Sequence, residues 1–358
     1  MSLNVLLHPV SVLCLITICN MPSMYLSTPG LRVNLDGGRV VLTQPGIDES
    51  RSTSVTQNTV LLRDVERVVV SESVNLSFPV MTELLRREIP VVILSRRDEV
   101  LGICHPPSHR SAVRMMQYRR ATDPAFCLAL AIAVVEAKVL NQRRVLQRLA
   151  ANRPDAEVTP VLLRLGKIAE AIPQARSLDT LRGYEGTAAG LYFEVYGSFF
   201  PKDAPFERRS RRPPHNAANA ILSYCYTLLG AEAESFCHLE GLDPSIGFFH
   251  EPAERRSSLA LDIIEPFRAP VADAMALDLL SHGTLHPRNH FEERDGGVFL
   301  NVEGKRRFFV AYERRMEREF LSEQHHFRTS LRGELERLVK GVRDAFLHGS
   351  MPEPFVMN

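Results

Sequence analysis

Between residue 24 and about residue 106 the apolar residues come in short runs of strand length. Leu31-Arg32-Val33-Asn34-Leu35 and Arg39-Val40-Val41-Leu42 flank Asp36-Gly37-Gly38, a pattern that predicts a β-hairpin. Met24-Tyr25-Leu26-Ser27 predicts a strand ahead of it. Arg67-Val68-Val69-Val70 and Pro90-Val91-Val92-Ile93-Leu94 read as buried strands separated by a helix over 78–87, with a last strand from Val100 to Cys104. The expected unit is small and β-rich, with one inserted helix.

From Ser108 onward the apolar spacing changes to three and four residues. Asp123-Pro124 supplies an N-cap and a first-turn proline for a long helix that runs to Leu149 and is broken by Arg153-Pro154-Asp155. Further helices are expected over 158–171, 178–199, 217–232, 258–264, 272–280, 307–321 and 331–347. One hairpin, Gly297-Val298-Phe299-Leu300 turning through Glu303-Gly304, interrupts them. The chain therefore reads as α+β: a small N-terminal β-rich domain at 24–106, a larger all-α domain at 107–350 and a tail at 351–358. Residues 1–23 are set apart as an extension outside the fold. Their apolar run, Val10 to Cys19, is shorter than the roughly 20 residues that cross a bilayer, and no Lys or Arg precedes it, so neither a membrane span nor a secretory signal is expected.

Composition narrows the functional classes. With 45% hydrophobic and 24% charged residues, 20 Gly and 23 Pro, collagen-like, low-complexity and disordered readings are excluded. Lys+Arg 43 against Asp+Glu 42 leaves a net charge of +1, so any nucleic-acid site must be local. The 6 cysteines form no CxxC pair, which argues against a disulfide framework or a structural zinc site and makes a reducing cytoplasm the simplest compartment. Three segments are rich in basic residues: Arg110, Arg114, Arg119 and Arg120; Lys202, Arg208, Arg209, Arg211 and Arg212; and Lys305, Arg306, Arg307, Arg314, Arg315 and Arg318. Any one alone reads as a solvated face, but three Arg-dominated clusters together favour phosphate recognition, because the guanidinium fork matches phosphate oxygens.

Chemistry can be placed in three segments. In Gly183-Tyr184-Glu185-Gly186-Thr187-Ala188-Ala189-Gly190-Leu191-Tyr192, Glu185 shares a helical face with Ala188, Ala189 and Tyr192, and small neighbours would let a ligand or backbone come close. The plainer reading is an exposed Glu near a helix N-terminus. Gly241 to His250 is a turn-rich segment ending in an imidazole, by itself more often a structural His. Asp262 and Glu265 fall one helical turn apart in an otherwise apolar run, and buried carboxylates need a compensating cation, for which Arg268 and a divalent metal are the candidates. Carboxylates with one imidazole and no Cys suit Mn²⁺ or Mg²⁺ rather than zinc. Such an ion beside Arg clusters suggests phosphodiester chemistry on nucleic acid.

Taken in order, these segments resemble the CRISPR-associated endonuclease/integrase of spacer acquisition, the Cas1 family. The resemblance runs from Met24 almost to the end. It rests on Asn75-Leu76-Ser77, Leu84-Leu85-Arg86-Arg87-Glu88-Ile89-Pro90-Val91-Val92, Gln117-Tyr118-Arg119 and Tyr184-Glu185-Gly186-Thr187-Ala188-Ala189. It rests also on Arg211-Arg212-Pro213-Pro214 with Asn219, on Gly241-Leu242-Asp243-Pro244 through His250, and on Leu261-Asp262-Ile263-Ile264-Glu265-Pro266-Phe267-Arg268. It implies a catalytic helical domain and a homodimer formed mainly through the β domain. Glu185, His250 and Glu265 would hold one Mn²⁺ or Mg²⁺, with Asp262 as the nearby catalytic acid. It further implies a small ferredoxin-like Cas2 partner and insertion of short double-stranded DNA with free 3′ ends at a CRISPR repeat, by 3′-hydroxyl attack on a phosphodiester. Arg209, Arg211, Arg212, Arg314 and Arg315 are the candidate DNA contacts. A stand-alone nuclease on branched or single-stranded DNA and a non-catalytic DNA-binding scaffold are the competing readings. Two departures stand out: Asn216 lies where the family commonly has Asp, and Pro266 biases Glu265 away from regular helix.

Overall fold

The computed structural model describes residues 23–44, 57–153 and 157–358. The chain divides into two compact units at Cys104/His105, each built as its pattern of apolar positions dictates.

The first unit holds β1 (Ser23–Leu26), β2 (Arg32–Asp36), β3 (Arg39–Thr43), β4 (Gln57–Leu61), β5 (Arg67–Ser71), β6 (Asn75–Leu76), α1 (Phe78–Arg86), β7 (Val91–Leu94) and β8 (Val100–Cys104). They form two four-stranded sheets, ordered β1-β5-β7-β8 and β4-β3-β2-β6. The β2–β3 turn pairs Asp36 with Arg39, and its two central residues, Gly37 and Gly38, both have positive φ, 53° and 78°. That is the geometry a two-residue hairpin needs and glycine adopts freely. Val33, Val40, Leu42, Val68, Val80, Leu84 and Val91 form the core. The sequence pattern shows neither β4 nor the two-residue β6. Of the extension expected over 1–23, only Ser23 is described, and it opens β1 by pairing with Arg67; the remainder lies outside the described residues.

The second unit contains α2 (Ser111–Arg120), α3 (Pro124–Ala151), α4 (Thr159–Ala171), α5 (Leu178–Tyr196), α6 (Ala217–Leu239), α7 (Ser258–Ile264), α8 (Ala274–Ser281) and α9 (Pro287–His290). These are followed by β9 (Phe291–Arg294), β10 (Gly297–Leu300), α10 (Val302–Glu317), β11 (Phe320–Leu321), β12 (Arg328–Thr329) and α11 (Leu331–His348). Asp123 caps α3 as its position suggests, accepting from the Ala125 and Phe126 amides at 3.0 and 3.3 Å. By length and composition α3 could cross a membrane. Here it packs against α4, α5 and residues 265–273, with Lys138, Asn141 and Gln142 buried among its apolar residues.

Several boundaries differ from expectation. The helical second domain carries two short hairpins, β9–β10 and β11–β12, where one is expected. The first turns at Asp295-Gly296, both at positive φ, and not at Glu303-Gly304. Glu303 and Gly304 instead open α10, since the Asn301 side chain accepts from the Gly304 amide at 2.9 Å and starts the helix there. A Cβ at Gly304 would collide with the His290 carbonyl, so the glycine serves close packing and not a turn. The helix expected over 307–321 thus begins and ends earlier, and Phe320–Leu321 become β11. α6 continues past residue 232 to Leu239 and stops at Gly241, whose φ is 77°. Residues 351–358 do not hang free: Phe355 is buried and stacks on Phe267, with ring centroids 5.7 Å apart.

Candidate active site

Four segments of the second unit converge: the middle of α3, the first half of α5, the 241–250 turn and the C-terminal end of α7. Asp262, fully buried, fastens the turn to α7. One carboxylate oxygen accepts from the Phe248 and Phe249 amides at 2.7 and 3.0 Å; the other accepts from the His250 amide at 2.9 Å and meets His250 Nδ1 at 2.6 Å. Gly247 makes this approach feasible, since a Cβ there would lie 2.6 Å from Asp262 Oδ2 and 2.8 Å from the His250 carbonyl. On the far side Gln117 of α2, also fully buried, satisfies the turn by donating to the Asp243 and Ile246 carbonyls at 2.9 and 3.0 Å and accepting from the Asp243 amide at 2.8 Å. Arg182 of α5 donates to the Phe249 carbonyl at 3.2 Å. His250 is therefore held from three elements. The tautomer that carries its proton on Nδ1 and donates it to Asp262 would present Nε2 as the lone-pair nitrogen.

Glu265 sits on the other side of that imidazole, its Oε1 4.0 Å from His250 Nε2. The i, i+3 alignment with Asp262 survives the proline. Glu265 keeps right-handed helical angles, φ −53° and ψ −45°, and the chain tightens into a 3₁₀ turn over 265–267 before widening to a π-helix over 268–273. The bias of Pro266 is thus overridden, because Asn141 of α3 donates to the Pro266 carbonyl at 2.7 Å and fastens the turn. Of the two cations expected to compensate the carboxylates, Arg268 binds Glu265 at 2.8 Å and not Asp262. Burial would raise the Glu265 carboxyl, but Arg268 and Lys138 outweigh it and hold the group down at about 2. In Asp262, burial prevails over the hydrogen bonds and pushes the carboxyl up.

Glu185, from α5, faces the same place. The ammonium of Lys138, on α3, lies between the two carboxylates: it donates to Glu185 Oε1 and stands 2.6 Å from Glu265 Oε2. Lys138 is absent from the candidates drawn from sequence, although the signal was there. A charged residue at a buried position of an apolar helix needs a partner, the argument that singled out Asp262 and Glu265. Among the described residues nothing lies against the glycines around Glu185, since a Cβ at Gly183, Gly186 or Gly190 would meet only open space, whereas Ala188 is buried.

Among the described residues no three His, Cys, Asp or Glu side chains stand at ligand spacing, and the position between Glu185 and Glu265 is taken by Lys138. The donor set nevertheless fits a hard divalent cation. Two carboxylates share one cation, the imidazole Nε2 stands 4.0 Å from the second of them, and Glu265 Oε2 is a buried oxygen whose neighbour is that cation alone. Glu265 is 2% exposed, whereas Glu185 and His250 are 25% and 29% exposed, so the site is rooted in the core and open on one side.

The candidate arginines separate. Arg209 is turned inward, bonded to Asn219 Oδ1 at 2.9 Å and Ser223 Oγ at 3.1 Å and lying over the Tyr226 ring. Arg315 donates to the Pro270 carbonyl at 2.7 Å and pairs with Asp278 at 3.1 Å. Arg211, Arg212 and Arg314 are exposed. Asn216 caps α6, accepting from the Asn219 amide at 2.9 Å.

Residues 24–314 match the family described as CRISPR associated protein Cas1. The chain is 35% identical over 336 residues to a CRISPR-associated exonuclease Cas4/endonuclease Cas1 fusion of Rhodospirillum rubrum, covering 92% of this chain and 56% of that protein, so it spans little more than half the length of such fusions. It is 30% identical over 330 residues to CRISPR-associated endonuclease Cas1 1 of Thermodesulfovibrio yellowstonii, covering 90% and 97% of the two chains. Among solved structures, a casposase bound to its integration product superposes with a TM-score of 0.79 at 21% identity, over 94% of this chain and 96% of that one. A Cas1 protein from Thermotoga maritima gives 0.73 at 24% identity, over 94% and 100%. These two likenesses speak to the fold. The family match extends from β1 into α10 and takes in every element that builds the site, and by it the chain belongs to the Cas1 family.

Proposed function

We propose that this protein is a divalent-metal-dependent DNA integrase and nuclease, with Glu185, His250 and Glu265 as the ligands of Mn²⁺ or Mg²⁺ and Asp262 as the residue that positions His250. The observation that carries the reading is a buried carboxylate, Glu265, and a half-buried one, Glu185, bridged by a cation, beside an imidazole whose second nitrogen is engaged by a buried acid. When bound, the ion would supply Lewis-acid polarisation of a phosphodiester and activation of a hydroxyl. Asp262 keeps the His250 ring in one tautomer and orientation. The 241–250 turn, clamped by Gln117 and Arg182, keeps that ring against Glu265, and Arg268 keeps Glu265 ionised.

In strand transfer the 3′-hydroxyl oxygen of an incoming strand bonds to a target phosphorus while the target's own 3′-oxygen leaves. The attacking hydroxyl loses its proton to solvent, and the leaving oxygen takes one up. One P–O bond forms and one breaks, so no energy-rich cofactor is consumed. Relatives named CRISPR-associated endonuclease Cas1, and a casposase with its integration product as a fold neighbour, support DNA as the substrate. A fold neighbour in a Cas6-RT-Cas1–Cas2 complex supports a Cas2 partner. The reading extends to a cytoplasmic homodimer acting at a CRISPR repeat.

The test is incubation of purified protein with branched, end-labelled DNA in Mn²⁺, Mg²⁺ or chelator, alone and with Cas2, comparing Glu185→Ala and His250→Ala. Metal-dependent products longer than the input and absent in both variants are expected. Shorter products alone would favour the stand-alone nuclease. DNA binding without any product in any metal would leave the scaffold.

A further inference from the structure

Lys138 stands where a divalent ion would have to bind. Its ammonium pairs with Glu185 Oε1 and, at 2.6 Å, with Glu265 Oε2, while Arg268 holds the other Glu265 oxygen at 2.8 Å. An ion joining Glu185 to Glu265 through the oxygens that face each other must take at least one now held by a protein cation. The two cations are not equally replaceable. The Arg268 guanidinium lies over the Tyr226 ring, 4.5 Å from its centroid, and makes a well-formed hydrogen bond to Glu265 Oε1. Lys138 meets Glu265 Oε2 at 2.6 Å and, among the described residues, has no aromatic ring stacked against it as Arg268 has. Its ammonium is a point charge on a flexible four-carbon stem, free of the planar constraint that fixes an arginine.

We propose that Lys138 is the resident counter-ion of the site: it neutralises Glu185 and Glu265 and keeps them together in the metal-free protein, and a divalent ion enters by displacing its ammonium. The inference rests on the metal-site reading above. In the absence of metal two carboxylates would otherwise repel across a buried space, which is costly unless a cation compensates. In its presence an ammonium and a divalent ion cannot occupy the same contacts. Metal affinity is then the outcome of an exchange, and the lysine sets it.

The test is Mn²⁺ binding by calorimetry and thermal melting of the full chain, without DNA, for the wild type, Lys138→Met and, as control, Glu185→Gln. Lys138→Met is expected to melt lower without metal, to bind Mn²⁺ roughly ten-fold tighter or more, and to gain more in Tm from Mn²⁺ than the wild type. Binding as weak as, or weaker than, the wild type's overturns the proposal while leaving the metal site standing. Absence of saturable binding in the wild type, or binding that survives Glu185→Gln unchanged, overturns the metal-site reading and this inference with it. A second measurement needs no variant: amine acylation of the wild type, read at Lys138 by mass spectrometry. Faster labelling with Mn²⁺ than with chelator is expected, and equal or slower labelling overturns the displacement.

Discussion

Asp273 carries a buried carboxylate whose hydrogen-bond partner is the Tyr226 hydroxyl, and its backbone carbonyl accepts from the Tyr196 hydroxyl at 2.8 Å. Burial pushes its carboxyl up to about 6 from 3.8, against the pull of the Tyr226 bond and of Arg268. An acid that holds its proton more tightly when folded makes the folded state bind more protons, so stability falls as pH rises through the interval between those values. The loss amounts to about 3 kcal/mol. Asp273→Asn keeps an acceptor for Tyr226 and removes the titration. In urea unfolding the variant should therefore gain on the wild type between about pH 4 and pH 7, and a gap independent of pH would show that Asp273 is not the group responsible. Neither Asp273 nor Lys138 was read from sequence as a candidate. Asp262 and Glu265 were, because they interrupt an apolar run where the cost of burial is visible without coordinates.

At the scale of elements, one amide ties α3 to the turn that follows Glu265. Asn141, fully buried on α3, donates to the Pro266 carbonyl at 2.7 Å and the Phe355 carbonyl at 2.8 Å and accepts from the Met357 amide at 2.7 Å. It thereby joins α3, the turn after Glu265 and the segment beyond α11. Asn141→Ala leaves those backbone groups without their partner and should cost about 2–4 kcal/mol by denaturant unfolding. Deleting residues 352–358 should cost less in the Asn141→Ala background than in the wild type, since the two changes remove shared bonds. Additive losses would mean that Asn141 does not act as this link. Helices with strong caps, such as α3 behind Asp123, were legible from the sequence. The hairpin turn placed at Glu303-Gly304 was misread because a glycine required for packing against the His290 carbonyl looks, in sequence, like a glycine required for a turn.

For the molecule as a whole the net charge of +1 gives no field to gather DNA, so binding has to come from local arginines. Substitution of exposed Arg211, Arg212 or Arg314 by Ala should lower the slope of log K against log[salt] by about 0.9 for each phosphate that is no longer neutralised. Substitution of Arg209 or Arg315, which are bonded within the fold, should lower stability first. Anisotropy titrations of a branched duplex over a salt series, paired with melting curves, separate the two groups. An unchanged slope in Arg211→Ala, Arg212→Ala and Arg314→Ala would return those residues to ordinary solvated surface.

The order of β-rich then helical segments, the caps, the β2–β3 turn and the candidate acids and imidazole were all determined by the sequence, because each depends on neighbours within a few residues or on the cost of placing a charge in an apolar run. Tertiary structure alone decided which charges meet. Lys138, Glu185 and Glu265 are far apart in the chain, and an ammonium on α3 has no local sign of the carboxylates that will surround it. It also decided that Asp262 clamps a turn while Glu265 meets Lys138 and Arg268, since two acids one helical turn apart have equivalent places in the sequence and acquire different roles only from what packs against each.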